Sequence, residues 1–251
     1  GSSDWIEGDS YSLDAFTSIM ILASAAESAT SINYFHDNPW LRYAPYYFYY
    51  NIMPKSYQGE FYYIQQNTSS VTSIRNSDTS QLWSIMAAML ADDDTNMAGF
   101  AAWFCQQSGM AIEVEQFDHY EPHLHDVFFK FLFGARHVQP KSPDQAGVPL
   151  SLQLGQMHAM RSEHNSEDAT LIQFFATKYW YENGHNEEEQ AGFVIHRFGP
   201  LAVSAANSKN AGDLVPRVER GGKGYILNNV LGINDDDIEM PVDLGRVRAK
   251  H

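Results

Sequence analysis

Apolar positions recur along the first half of the chain with helical period and along the second half with strand period. Leu13, Phe16, Ile19, Met20, Ala23 and Ala26 fall at three- and four-residue steps, one face of a helix, with Ser10 or Ser12 available to cap it. Asn38-Pro39 opens the next helix, with Asn as cap and Pro in the first turn. Trp40, Leu41, Ala44 and the Tyr43–Tyr50 cluster continue it to Pro54, and Pro45 inside the run predicts a kink or two short helices. Residues 55–78 are rich in Gln, Asn, Ser and Thr and read as a long loop, within which Gly59–Ile64 is an extended excursion.

A pair of helices follows, Gln81–Ala91 and Asn96–Gln107, separated by Asp92-Asp93-Asp94-Thr95. That acidic run reads as a solvated connection in which Asp94 or Thr95 caps the second helix. Leu124–Gly134 is a further amphipathic helix. Three prolines and a glycine between Gln139 and Pro149 predict a linker. Beyond it Leu150–Arg161, Ala169–Phe175, Phe193–Arg197, Leu201–Ala205 and Tyr225–Ile233 read as strands bounded by Gly, Asn, Asp and Pro. Helices first and strands second predict an α+β chain with segregated halves, residues 1–138 and 150–251 joined by 139–149.

Composition narrows the function classes. A hydrophobic fraction of 44% suits a packed protein, not a disordered one. A formal net charge of -15 argues against general nucleic-acid binding, which depends on cationic neutralisation of phosphates. An anionic substrate stays open, because the local field of a cleft decides that. No apolar run is long enough to span a membrane. The single cysteine, Cys105, lies in an apolar helical context and reads as an inert buried thiol. Gly1-Ser2-Ser3 opens like a tag remnant or a start within a longer protein, so a leader removed upstream is compatible with it.

The stretch least suited to packing is G-H-N-E-E-E-Q-A-G-F, Gly184 to Phe193. It places His185 in a polar turn between two strand-like runs, where a rigid sheet would present an imidazole and carboxylates. Met160-Arg161-Ser162, Asp168-Ala169-Thr170, this block, and Phe198-Gly199-Pro200-Leu201-Ala202 occur in that order. Together they resemble the start of the β-sandwich domain of the heparinase II/III-like polysaccharide lyases. Trp5-Ile6-Glu7-Gly8-Asp9-Ser10-Tyr11 is similar to the E/Q-G-x-x-Y stretch of that family's helical domain.

The resemblance implies an (α/α)-toroid portion followed by an antiparallel β-sandwich portion, both incomplete in this chain, which would then be one piece of a larger protein. It implies a periplasmic or extracellular lyase acting on a uronic-acid-containing polysaccharide. Tyr11 and His185 match the family's catalytic tyrosine and histidine. Asn186, Gln190, Glu7 and Arg161 are the substrate-binding candidates. For Arg161 a bidentate pair with a substrate carboxylate or sulfate stands beside a structural ion pair with Glu163 or Asp168. Asn186 serves equally as a turn former.

The family's structural zinc is not expected here. The positions of its ligands carry Glu187, Ser204 and Asn228, of which only Glu187 is a ligand candidate. Anionic polysaccharide or oligosaccharide is the expected partner. A second copy of the chain, or a companion segment of a larger one, is the other. A non-catalytic carbohydrate-binding relative of the same fold is the alternative function, and the Tyr43–Tyr50 rings offer faces for sugar stacking. His119, His123, His125 and Asp126 form an H-x-H-D run that suggests a metallohydrolase as a weaker third reading. Asp235-Asp236-Asp237 reads as a turn.

Overall fold

The structure, a computed structural model, describes residues 9–57, 59–64, 73–74, 77–107, 132–133, 137–155, 157–175 and 192–202. Within them the chain is α+β. Helices α1 (Asp9–Thr30), α2 (Tyr34–Asp37), α3 (Pro39–Arg42), α4 (Ala44–Tyr50), α5 (Ser77–Met89), α6 (Thr95–Gln107) and α7 (Pro143–Ala146) come first. Strands β1 (Ser151–Leu154), β2 (Met157–Arg161), β3 (Leu171–Phe175), β4 (Phe193–His196) and β5 (Pro200–Ala202) follow.

The predicted apolar face of α1 is the buried one: Leu13, Phe16, Met20 and Ala23 are all in the core. Phe16 stacks on Trp40 at 4.1 Å and meets the edge of Phe48 at 5.0 Å, so α1 docks on the aromatic run that follows it. That run breaks into α3 and α4 at Tyr43, and Pro45 takes the first turn of α4, where its missing N–H costs nothing. A short helix that the pattern did not reveal, α2, is capped by the side chain of Asn33. Trp83 of α5 stacks on Phe104 of α6 at 4.1 Å and meets the edge of Phe100 at 5.6 Å.

The acidic run between α5 and α6 is more than a solvated connection. Asp94 caps α6 by accepting from the Met97 N–H at 3.0 Å, and its other oxygen pairs with Arg42 at 3.3 Å. Asp93 accepts from Asn33 and lies 3.7 Å from the His36 ring. The triplet therefore ties α2 and α3 to the α5–α6 turn.

Composition predicts a linker at 139–149, but this segment is folded. Ser142 and Gln145 form a reciprocal capping box around α7, and Pro143, Ala146 and Val148 are buried. The Lys141 N–H donates to the Gly99 carbonyl at 2.8 Å, so the segment lies directly against α6. A Cβ at Gly99 would stand 2.8 Å from the Gln139 carbonyl oxygen and 2.8 Å from Lys141 Cγ. The lysine side chain can swing away, but the backbone oxygen cannot move without α7. Gly99→Ala is expected to lower stability by about 1–3 kcal/mol, read from the urea midpoint, in spite of alanine's higher helix propensity. A rise in the midpoint would show that the 139–141 backbone is not held against α6.

The five strands form one antiparallel meander in the order β1-β2-β3-β4-β5. The run predicted as a single strand, Leu150–Arg161, is two. Leu154 pairs with Met157, and Gly155 at φ 59° opens the two-residue turn between them. Alternation puts Leu154, Met157, Ala159, Arg161, Leu171, Gln173, Val194 and His196 on one buried face. The other face carries Met160, Ile172, Phe174, Phe193 and Ile195, which are partly exposed or exposed. The apolar members of the buried face join the helical side chains in one continuous core. No helix among the described residues is long and apolar enough to cross a membrane.

Of the helix expected at Leu124–Gly134, only 132 and 133 are described, both helical. The strand expected at Tyr225–Ile233 lies outside the described residues.

Candidate functional site

Strand pairing decides where each motif attaches to the sheet. Arg161 is opposite Leu171, Leu171 is opposite His196, and His196 meets Pro200 across the β4–β5 turn. The M-R-S, D-A-T and F-G-P-L-A motifs therefore converge at one end of the sheet. Met157 pairs with Phe175 and Phe174 pairs with Phe193 at the other end. The connection holding His185 leaves β3 and enters β4 there, roughly 13 Å along the strand from the Arg161 row. His185, Asn186, Gln190 and the ligand candidate Glu187 lie in that connection, outside the described residues. Glu7 is outside them as well, as are the His119–Asp126 run, Ser204, Asn228 and the Asp235–Asp237 turn. Tyr11 is in the first turns of α1, ahead of the buried Ser12 and Leu13; its own side chain is not described.

Of the two expectations for Arg161, the ion pair with Glu163 or Asp168 is not formed among the described residues, and the guanidinium is turned toward the core. The residue is 6% exposed, on the inner face of β2, and makes no ion pair among the described residues. Its guanidinium donates to the carbonyl oxygen of Tyr49 at 3.0 Å and to that of Ile52, and lies over the Tyr49 ring at 4.5 Å. The reason is the end of α4. The last carbonyls of a helix have no partner within it and carry the negative end of its dipole. Arg161 supplies donors and positive charge to that end. Gln173 from β3 supplies a second donor set, to the Tyr50 carbonyl at 2.8 Å and to Asn51 Oδ1 at 2.6 Å. The sheet thus caps the helix.

The rest of the motif pair is structural too. The Ser162 N–H donates to the Thr170 carbonyl, and the Thr170 N–H donates to the Ser162 hydroxyl, both at 2.9 Å. Ala169 between them is fully buried. The M-R-S and D-A-T segments lock the β2–β3 connection.

Two histidines, His164 and His196, belong to this seam. His164 Nε2 donates to the Val148 carbonyl at 2.9 Å, which leaves Nδ1 of the neutral ring to accept the Tyr49 hydroxyl at 3.0 Å. Burial lowers the His164 pKa and the nearby Arg161 adds to that; the Val148 bond and Asp144 act the other way. His196 is 3% exposed, and its Nε2 is buried with no hydrogen-bond partner. Burial first, then the Arg161 charge, push its pKa down to about 4. Burial also lowers the Arg161 pKa, against the pull of Tyr49 and Tyr50, and raises those of Tyr49 and Tyr50. Alternation in F-V-I-H sets Val194 and His196 on one face, but the other face, Phe193 and Ile195, is the more apolar, so the inward turn of His196 is set by the packing of the sheet.

The aromatic run offers little to a sugar. Tyr47, Phe48, Tyr49 and Tyr50 are buried, and Tyr43 alone in that run is exposed, with Arg42 over its ring at 5.9 Å. Cys105 is half-buried instead of enclosed, in a groove of about 240 Å³ between α5, α6 and residues 138–140; Ser84 Oγ lies 3.6 Å from its sulfur. No group of three or more His, Cys, Asp or Glu among the described residues is arranged to hold a metal ion.

No protein-family model matches the chain, and no curated protein sequence matches it.

Proposed function

We propose that the chain is part of a polysaccharide lyase that cleaves a uronic-acid-containing polysaccharide by β-elimination. What supports the reading is the ordered set of motifs, and above all the setting of the His185 block. The runs on either side of it, β3 and β4, are adjacent antiparallel strands. A polar connection rich in imidazole and carboxylate, closing a hairpin on a rigid sheet, suits a group that must meet a substrate.

The chemistry needs three things. A base removes the proton on C5, acidified by the neighbouring carboxylate. The electron pair forms the C4–C5 double bond as the C4–O bond breaks. An acid protonates the departing oxygen. In this reading His185 is the base, suited by an imidazole that titrates near neutrality, and the Tyr11 phenol is the proton donor. Asn186, Gln190 and Glu7 bind the sugar. Arg161 has no part in the proposal, since α4 occupies its guanidinium. The toroid and sandwich architecture, with the cleft between its two parts, and a periplasmic or extracellular location belong to the same proposal.

The non-catalytic relative, a carbohydrate-binding protein, remains the second reading. The observation that favours it is the inward turn of Arg161, which removes the best cationic partner for a uronate among the named candidates. Incubation with alginate, heparin, hyaluronan and chondroitin, followed by the ultraviolet absorbance of the unsaturated uronate, separates the two. Product from any polymer supports the lyase. Binding without product across the panel selects the second reading, and neither binding nor product removes both.

A further inference from the structure

We propose that the seam between α4 and the sheet is an acid-sensitive joint, in which protonation of His196, seconded by His164, loosens the β2–β4 face from the end of α4. The seam is polar where a helix–sheet interface is usually apolar. Arg161 and Gln173 hold the last carbonyls of α4, and His196 stands in the same cross-strand row as Arg161, with Leu171 between them. The titratable and charged groups facing this row among the described residues are Arg161 of β2, Tyr49 and Tyr50 of α4, His164 after β2, and Asp144 of α7. Among the described residues no carboxylate acts on His196. Gln173 Oε1, an unpaired acceptor on the same face, makes no hydrogen bond to it. A proton on His196 would therefore bury a second cation beside the first, without a counter-charge. His164 resists less. Asp144 favours its charged form, and the Tyr49 hydroxyl can rotate to accept from a protonated Nδ1.

The sign follows from proton linkage. A histidine whose folded pKa lies below its unfolded value of about 6.5 binds fewer protons folded than unfolded. Its contribution is complete above about pH 6.5, falls as the pH drops, and is exhausted near 4, where the folded ring also protonates. Between pH 7.5 and pH 5 the opening equilibrium of the seam should rise about 30-fold through His196 alone. The proposal stands apart from the lyase reading, and its test needs no polymer.

Two measurements on the chain decide it. In the first, imidazole resonances of the unmodified protein are followed by NMR from pH 7.5 to pH 3.5. The His196 ring is expected to stay neutral through pH 5.5, and titration near 6.5 overturns the proposal. In the second, amide exchange protection of β2–β4 is compared with that of α5–α6 at pH 7.5 and pH 5. The sheet amides are expected to lose protection first, and His196→Gln is expected to remove most of that pH dependence. If the variant keeps the full dependence, or the sheet and α5–α6 lose protection together, the joint is not where acid acts. Should His196→Gln not fold, the ring titration and the exchange pattern of the unmodified chain still decide.

Discussion

Replacing Arg161 with methionine is expected to lower the stability of the chain by about 2–4 kcal/mol, seen as a lower urea midpoint at unchanged slope. Methionine keeps the apolar volume and removes the donors. Of the two carbonyls that lose a partner, Tyr49's retains the Ile52 N–H at 3.2 Å, whereas that of Ile52 has no other backbone donor among those described. The loss is thus one orphaned acceptor, one weakened acceptor and a cation–π contact, each on the order of 1–2 kcal/mol. Against it runs the relief of no longer burying a guanidinium without a carboxylate, which can offset a large part of such a loss. The helix end tips the balance toward destabilisation, because its carbonyls stay buried after the charge is gone. Arg161→Lys should recover less than half of the loss, since an ammonium lacks the planar fork that reaches two carbonyls and stacks on Tyr49. A midpoint unchanged in Arg161→Met would mean that water already satisfies the end of α4.

His185→Ala is expected to lower kcat/KM for the polymer that proves to be the substrate by about 10²–10⁴, the usual contribution of a positioned base. Tyr11→Phe, which removes only the hydroxyl, should cost a comparable factor. If the two act in one concerted elimination, the double variant should be little worse than either single one. The urea midpoint should not move for His185→Ala, which separates a lost base from a lost fold. A His185→Ala variant with full activity would remove the histidine from the chemistry, and a loss matched by unfolding would make it structural. A simple sum of the two single effects would argue against a shared transition state.

How far the chain could be read in advance differs between its parts. The helix pattern from Leu13 to Ala23 was legible because its period is local and its buried face follows from that period. The break of the 39–50 run announced itself through Pro45 and Asn38. The β1–β2 hairpin was harder to read, since its only mark is the shift of the apolar alternation from Leu152 and Leu154 to Met157 and Ala159 across Gly155-Gln156. The composition of 139–149 points to a linker because prolines mark turns whether or not the turn packs; the capping box of Ser142 and Gln145 is the local sign that this one does. At the candidate site the hairpin setting of the His185 block was visible from the strand-like runs on either side. Which end of the sheet each motif occupies was not, because antiparallel order and register are long-range facts.

By itself the sequence determined the order of helices before strands and the inward face of α1, both consequences of residues a few positions apart. Alternation alone sets Arg161 on the side of Met157 and Ala159, and His196 on the side of Val194. What that side would meet was decided only by the tertiary structure. The carbonyls of Tyr49, Tyr50 and Ile52 lie more than a hundred positions away in the chain, and they come to the sheet only when α4 is packed. An arginine that local pattern offers equally to a substrate or to a carboxylate then has a third claimant, and the buried helix end binds it because it has no water to turn to.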